Sequence, residues 1–276
     1  MAIDFRIKPP IPAWEGLFTE GKRAFSSFLN LDLEPTESET LEQVIAEQER
    51  WGITHGVIMG RGNEPGSSND ELAAFLKSQT TRRFFGFIGA DAPDIESAVA
   101  TIDKYAPTGL FHGVSLNPAV IRPRIPLGDP AWDPIFEASL RHNLPLSITL
   151  SGFLGLIGPT PDYDYARPSG LLRPAKKYPE LKIVISHAGW PFVDEAITTA
   201  IYSPNLYLSP DFYLGFPGSK LYVEAANFPL SDRILYGSCF PNVPYDFAIN
   251  HFRNQVWNPG VLNKVLYENG ARLLGL

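Results

Sequence analysis

The chain predicts a (β/α)8 barrel, the TIM-barrel form of the α/β class, and three observations carry that prediction. Short strand-like runs alternate with helical periodicities eight times along the sequence, the pattern of parallel strands joined by helical crossovers. A length of 276 residues, 44% of them hydrophobic, suits one barrel-sized core. The first strand runs into Pro9-Pro10 with no glycine, where an open doubly wound sheet would place a glycine-rich phosphate turn.

The first strand, Ile3-Asp4-Phe5-Arg6-Ile7-Lys8, alternates apolar and charged residues with a period of two. That period puts Ile3, Phe5 and Ile7 on one face and Asp4, Arg6 and Lys8 on the other. Inside a barrel the charged face would line the interior. Unpaired ions there cost several kcal/mol each, so they must pair, meet water or meet a ligand. An active-site floor is therefore expected, with a structural ion cluster as its rival.

Residues 11–34 carry Trp14, Phe18, Phe25 and Phe28 and are expected to pack aromatic side chains over one mouth of the barrel. A helix then runs to Trp51, with Thr36 as N-cap and Glu39 in the capping-box position. The second strand, 55–59, ends in Gly60-Arg61-Gly62-Asn63. Loops that follow barrel strands meet ligands, which makes Arg61 a candidate anion contact, against the reading of a solvated loop arginine. A helix over 68–80, a strand over 84–90 and a helix over 93–105 follow. The fourth strand, 113–117, ends at Asn117 and leads into a loop with Arg122 and Arg124.

After a helix over 129–143, the fifth strand, 144–150, alternates Leu146, Ile148 and Leu150 with Ser147, Thr149 and Ser151. The polar set should face the same interior. Residues 152–167, with glycine, proline, Tyr163 and Tyr165, form the expected mobile lid. A helix over 168–178 precedes the sixth strand, 181–187, whose continuous apolar run suits a strand covered on both faces and ends at His187. A helix over 191–202 and a strand over 206–208 lead into Ser209-Pro210-Asp211-Phe212-Tyr213. A helix over 219–227, an eighth strand over 234–239 ending at Cys239, and helices over 245–253 and 260–274 complete the chain.

A formal net charge of −7 argues against a nucleic-acid partner, which would need a basic surface. The single cysteine rules out an internal disulfide and fits a reducing compartment. With neither a basic leader nor an apolar run of membrane-spanning length, the expectation is a soluble cytoplasmic protein without a membrane partner. Association into a homo-oligomer through the aromatic segment 14–28 stays open.

His187 is the first candidate for catalysis, an imidazole at the end of a buried strand suited to general acid or base work. Asp211 would orient it or accept the proton itself. Its rival reading is a turn-forming Asp beside proline. Arg6 and Lys8 would hold a substrate carboxylate or a developing oxyanion, with Asp4 keeping Arg6 in place. A Schiff base on Lys8 is a further option. Arg61, Asn117, Thr149, Ser151 and Tyr213 are candidate substrate-binding residues, and Trp190 and Tyr213 could stack on a ring. His55, His112, His142 and His251 read as ordinary solvent-side histidines.

The segments Ile3-Asp4, Leu144-Pro145, Ser186-His187-Ala188-Gly189, Tyr236-Gly237-Ser238 with Pro241, and Asn269 with Ala271-Arg272-Leu273-Leu274 together resemble the amidohydrolase-related branch of the amidohydrolase superfamily. That branch includes aminocarboxymuconate-semialdehyde decarboxylase. The resemblance spans nearly the whole chain and implies a (β/α)8 barrel with a zinc ion. The ion would be held by two first-strand histidines, a histidine on strand five, one on strand six and an aspartate on strand eight. At those positions this chain has Arg6, Lys8, Thr149, His187 and Cys239, so only His187 matches a ligand. Arginine has no lone pair to give, and a lysine beside it gives one only after a large pKa depression. The expectation is thus no metal cofactor, with fixed positive charge in the metal's place. A rival is a three-ligand zinc site made of His187, Asp211 and Cys239.

The expected activity is that of a small-molecule hydrolase or decarboxylase acting on a carboxylated, cyclic substrate. The alternative is a catalytically silent barrel that binds an acidic metabolite or serves as an assembly subunit.

Overall fold

In a computed structural model, described over residues 1–11, 40–62, 68–120, 124–151 and 166–276, seven parallel strands form one sheet in the order of the chain. They are β1 (Ala2–Ile7), β2 (Ile53–Met59), β3 (Phe84–Gly89), β4 (Phe111–Leu116), β5 (Leu146–Thr149), β6 (Ile183–Ser186) and β7 (Leu206–Ser209). The helices between them are α1 (Leu41–Arg50), α2 (Asn69–Ser78), α3 (Ile95–Tyr105), α4 (Asp133–Arg141), α5 (Leu172–Lys177), α6 (Val193–Tyr202) and α7 (Lys220–Asn227). Helices α8 (Tyr245–Arg253), α9 (Val261–Asn263) and α10 (Asn269–Leu274) follow, with a π-helical turn at Lys264–Glu268 joining the last two. This is the architecture of a TIM barrel.

The expected eighth strand is not a regular one. Residues 234–240 bridge β7 at Leu208 and β1 at Ile7, and their hydrogen bonds go both ways. Leu235 N–H donates to Leu208, while Phe5, Cys239 and Lys8 exchange bonds across to Tyr236, Arg6 and Phe240. The segment nearly closes the barrel, but left-handed backbone at Cys239 (φ 63°) breaks the extended run.

Helix starts follow the chemistry of their caps. The described part of α1 begins later than expected: Thr40, not Thr36, is its N-cap, and Gln43 completes the capping box. Thr36 and Glu39 lie outside the described residues, as do Trp14, Phe18, Phe25, Phe28, Asn63, Arg122, Tyr163, Tyr165 and the 152–165 part of the expected lid. Ser68 with Glu71 and Asp94 with Ser97 cap α2 and α3.

Two apolar layers hold the barrel. Outward-facing strand residues such as Ile58, Ile88, Val114, Ile148 and Ile185 pack against helical Val44, Leu72, Ile102, Phe136 and Ala196. A second cluster combines Ile3, Phe5, Val57, Phe85, Phe87, Val184, Tyr207 and Leu235 with Ala271 and Leu274 of α10. Phe5 and Phe87 meet edge to face, their centroids 6.4 Å apart. Gly270 has no side chain for a packing reason: a Cβ there would lie 2.9 Å from the Phe5 ring. His55 and His112 are not solvent-side, since both rings pack on Phe85. His142 pairs with Asp103, and His251 stacks on Phe247.

The second cluster corrects the expected facing of β1. Asp4 lies opposite Gly56 and Ile7 opposite Ile58, so three steps along β1 match two along β2, and one extra residue is accommodated as a bulge. Before the bulge, Ile3 and Phe5 join the interior cluster. Asp4 shares the outward face of Gly56, whose missing Cβ would meet Gln48 of α1. After the bulge Ile7 stays in the outer layer, and Arg6 and Lys8 turn toward the mouth. A strict two-residue period therefore fails within this one strand.

Among the described residues, no helix is long and apolar enough to cross a membrane.

Candidate functional site

The mouth is assembled from the C-terminal ends of β1, β2, β6, β7 and the 234–240 segment. Asp4 does not reach the Arg6 guanidinium, contrary to expectation. It accepts from the Arg6 backbone N–H at 3.0 Å and from Ser238 N–H and Oγ at 2.9 and 2.5 Å. It thereby pins the bulge to the closing segment. Burial raises its carboxyl to about 7, while those donors pull the other way.

Arg6 is only 6% exposed, and among the described residues its Nη1 has no hydrogen-bond partner. Burial pushes the guanidinium below its usual value, and interactions with Cys239 and Asp211 oppose that push. Lys8 is half-buried, and burial, aided by Arg61 and Arg6, pushes its amine down to about 7. Arg61 is held at 3.3 Å by Asp91. Asp91 also accepts from the Asn117 backbone N–H at 2.6 Å. The sequence reading passed over Asp91, although its place just past the end of β3 was a usable signal.

Next to β1 around the mouth, His187 and Asp211 follow β6 and β7, and Cys239 lies in the closing segment, its N–H donating to the Arg6 carbonyl. All three have left-handed backbone, with φ of 63°, 56° and 63°. Non-glycine residues seldom adopt this conformation, and it concentrates at functional sites. Here it turns three successive strand ends toward one point: an imidazole nitrogen, a carboxylate oxygen and the thiol lie within 4.8 Å of one another. His187 Nδ1 is 2.8 Å from Asp211 Oδ2, yet it is not aligned for a hydrogen bond. Asp211 is fixed instead by Ser209 Oγ at 2.5 Å and the His187 backbone N–H at 3.2 Å. Gly237 makes room for it, because a Cβ there would fall 2.2 Å from Asp211 Oδ1. Burial first, then Arg6, pushes the His187 imidazole down to about 4, with Asp211 opposing. The ring is accordingly neutral at neutral pH and able to take a proton. Burial pushes the Cys239 thiol well up, against the pull of Arg6 and Lys8.

Tyr213 packs on His187 with centroids 4.8 Å apart and exchanges a 2.8 Å hydrogen bond with Ser151. Trp190, Phe212 and Phe216 extend this aromatic wall, although Phe212 and Phe216 were not among the candidates. Thr149 Oγ1 is buried without a partner. Asn117 stands beside the Arg61–Asp91 pair, its backbone N–H donating to Asp91, and its side-chain oxygen accepts from Ala119 N–H of the following turn at 3.1 Å.

The set of metal ligands that the resemblance implies does not fit these residues. Arg6 brings a cation and no lone pair, Thr149 brings a hydroxyl, and Lys8 brings an amine that burial, aided by Arg61 and Arg6, holds at about 7, divided between charged and neutral forms at neutral pH. His187, Asp211 and Cys239 retain nitrogen, oxygen and sulfur donors at chelating separation, but beside the charge of Arg6.

The amidohydrolase family model matches residues 34–276. An uncharacterized TIM-barrel protein from Bordetella bronchiseptica is 30% identical, with 99% of this chain and 98% of that chain covered at a TM-score of 0.85. A 5-carboxyvanillate decarboxylase from Sphingomonas paucimobilis shares the fold at 18% identity, covering 100% and 99% with a TM-score of 0.67. A probable 2-pyrone-4,6-dicarboxylic acid hydrolase from Acinetobacter baumannii, with citric acid bound, does so at 16% identity, covering 100% and 99% with a TM-score of 0.63. Among curated proteins, none matches the sequence.

Proposed function

This chain belongs to the amidohydrolase family, and from that premise we propose that it hydrolyses or decarboxylates a small, cyclic carboxylate, using its own cations where relatives keep a metal ion. The observation that carries this reading is Arg6, a nearly buried guanidinium with an unpartnered Nη1 in the mouth beside His187 and Asp211. A buried donor of that kind is costly until an anion arrives to accept from it. Two proteins of the same fold act, by name, on carboxylated ring compounds, which supports the substrate class.

In this reading the substrate carboxylate meets Arg6 and Lys8, while Arg61, held by Asp91, widens the cationic surface. Tyr213, Trp190, Thr149 and Ser151 line the remaining wall. His187, neutral at working pH, takes the proton from the attacking group in hydrolysis or from a substrate hydroxyl in decarboxylation, and the imidazolium so formed returns it to the leaving group or to ring carbon. Asp211, 2.8 Å from the ring, offsets the charge that His187 gains with the proton. Arg6 and Lys8 stabilise the developing anion in either case.

The test uses protein purified without added metal. Metal analysis should find substoichiometric metal, and pyrone and hydroxybenzoate carboxylates should raise the melting temperature of the wild type but not of Arg6→Met. Turnover should collapse in His187→Asn, a replacement whose side chain tolerates φ > 0. One firmly bound metal per chain, with turnover lost on chelation, would overturn the metal-free reading. Equal turnover in wild type and His187→Asn would remove His187 from the chemistry.

A further inference from the structure

We propose that Cys239 is a nucleophile, activated by His187, that forms a thioester with the acyl group of an ester or lactone substrate. The assignment rests on the hydrolytic form of the function proposed above. Four observations on different atoms converge on it. Cys239 stands at a strand end in left-handed backbone (φ 63°), a conformation favoured by Gly, Asn, Asp and His but not by Cys. Strained strand ends of this kind present nucleophiles in other hydrolases. Its backbone N–H is tied to the Arg6 carbonyl at 2.9 Å, so the thiol's direction is fixed relative to the first strand. Its sulfur lies within 4.8 Å of a His187 ring nitrogen and an Asp211 oxygen, which brings a nucleophile, a base and a carboxylate into one group. Independently of the cysteine, Arg6 is 6% exposed and keeps Nη1 without a partner. Arg6 and Cys239 face each other across the pairing of the closing segment with β1, and the positive charge there favours thiolate and tetrahedral oxyanion alike.

A buried neutral thiol needs a base before it attacks. His187 takes the Sγ proton as the C–S bond forms and the carbonyl π pair moves to oxygen, beside Arg6 and Lys8. That pair returns, the C–O bond breaks, and the leaving oxygen takes the proton from His187. Water then attacks the thioester carbon as His187 takes its proton. The C–S bond breaks, and the thiolate recovers the proton from His187. No oxidant or reductant is involved. Such a nucleophile supplies what cations in place of a metal do not, namely a group that attacks without metal-activated water.

Cys239 is the single cysteine of the chain, so all thiol chemistry reports on it. Native protein would be treated at pH 7 with iodoacetate, and separately with the mono-4-nitrophenyl ester of succinic acid, with intact mass read after acid quench. The expected result is alkylation at least about tenfold faster in wild type than in His187→Asn. A burst of 4-nitrophenolate with one succinyl adduct on Cys239 should accompany it and be absent from Cys239→Ser. Circular dichroism identifies any variant that fails to fold, and Asp211→Asn, expected to slow alkylation less, is the second probe of base activation. An alkylation rate unchanged in both His187→Asn and Asp211→Asn, no adduct on wild type, or an undiminished burst in Cys239→Ser overturns the assignment. So does stoichiometric zinc whose removal alone exposes the thiol. Carboxylate stabilisation with an unreactive Cys239 sinks the nucleophile and leaves acid binding intact. A reactive Cys239 in a protein that no carboxylate stabilises does the reverse.

Discussion

The lower half of the barrel interior and its mouth are lined by the same strands, yet they obey opposite rules. Below, Ile3, Phe5, Val57, Phe85, Phe87 and Leu235 form a dry cluster closed by Ala271 and Leu274 of α10. Above, Arg6, Lys8, Arg61, His187, Asp211 and Cys239 crowd charge and donors into a site where Arg6 Nη1 lacks a partner. The bulge of β1 separates the two regimes within a few residues. Stability comes from the dry half, and the mouth spends some of it to keep polar groups unsatisfied and ready for a ligand. The division between a stabilising bottom and a chemical top is the general layout of this fold. Here the top carries Arg6, Lys8 and Arg61 beside His187, Asp211 and Cys239.

Four expected outcomes test that contrast, the largest first. His187→Asn should lower turnover by roughly 10²–10⁴-fold, the usual range for a lost general base, while leaving the melting temperature within a few degrees. Steady-state kinetics beside calorimetry would check it, and a large loss of stability would mean that His187 belongs to the supporting structure. Phe5→Ala, in the dry half, should do the opposite and cost about 3–5 kcal/mol of stability through the cavity left against Phe87, as chemical denaturation would measure. A loss under about 1 kcal/mol would show that the two halves share the load.

Arg6→Met should sharpen the comparison from the other side. Removing a buried, partly unsatisfied charge is expected to stabilise the protein by about 1–2 kcal/mol while weakening carboxylate binding at least about tenfold. Titration calorimetry with a pyrone carboxylate and a denaturant curve give both numbers. Destabilisation would mean that the guanidinium is structural. The remaining outcome is a pH dependence. The His187 imidazole is pushed from 6.5 to about 4, so the unfolded chain binds the proton more readily. Its contribution to stability is complete above pH 6.5 and is lost as pH falls from 6.5 toward 4. The difference between wild type and His187→Asn should therefore narrow over that window, and a constant difference would count against a buried neutral ring.

Much of the fold was legible because it rests on local pattern. The continuous run ending at His187, the alternation of Leu146, Ile148 and Leu150 with Ser147 and Thr149, and the helix over 245–253 all reappear as elements with nearly the expected bounds. The identity of the mouth residues was partly legible as well, since Arg6, Lys8, Arg61, His187, Asp211 and Cys239 follow strand ends. What failed was facing and pairing. The expected Asp4 to Arg6 ion pair became a backbone tie.

By itself, the sequence determined that strands and helices alternate, that Arg6 and Lys8 close the first strand, and that an imidazole, a carboxylate and a thiol come at or just past the last three expected strands. Periodicity and residue chemistry suffice for that, because each is local. Only the tertiary structure decided that β1 slips by one residue against β2, sending Phe5 into the dry core and Arg6 to the mouth. It alone also decided that three left-handed strand ends turn His187, Asp211 and Cys239 onto one point. A slip of register and a positive φ arise from packing against neighbours distant in sequence, and no run of side chains read in order contains them.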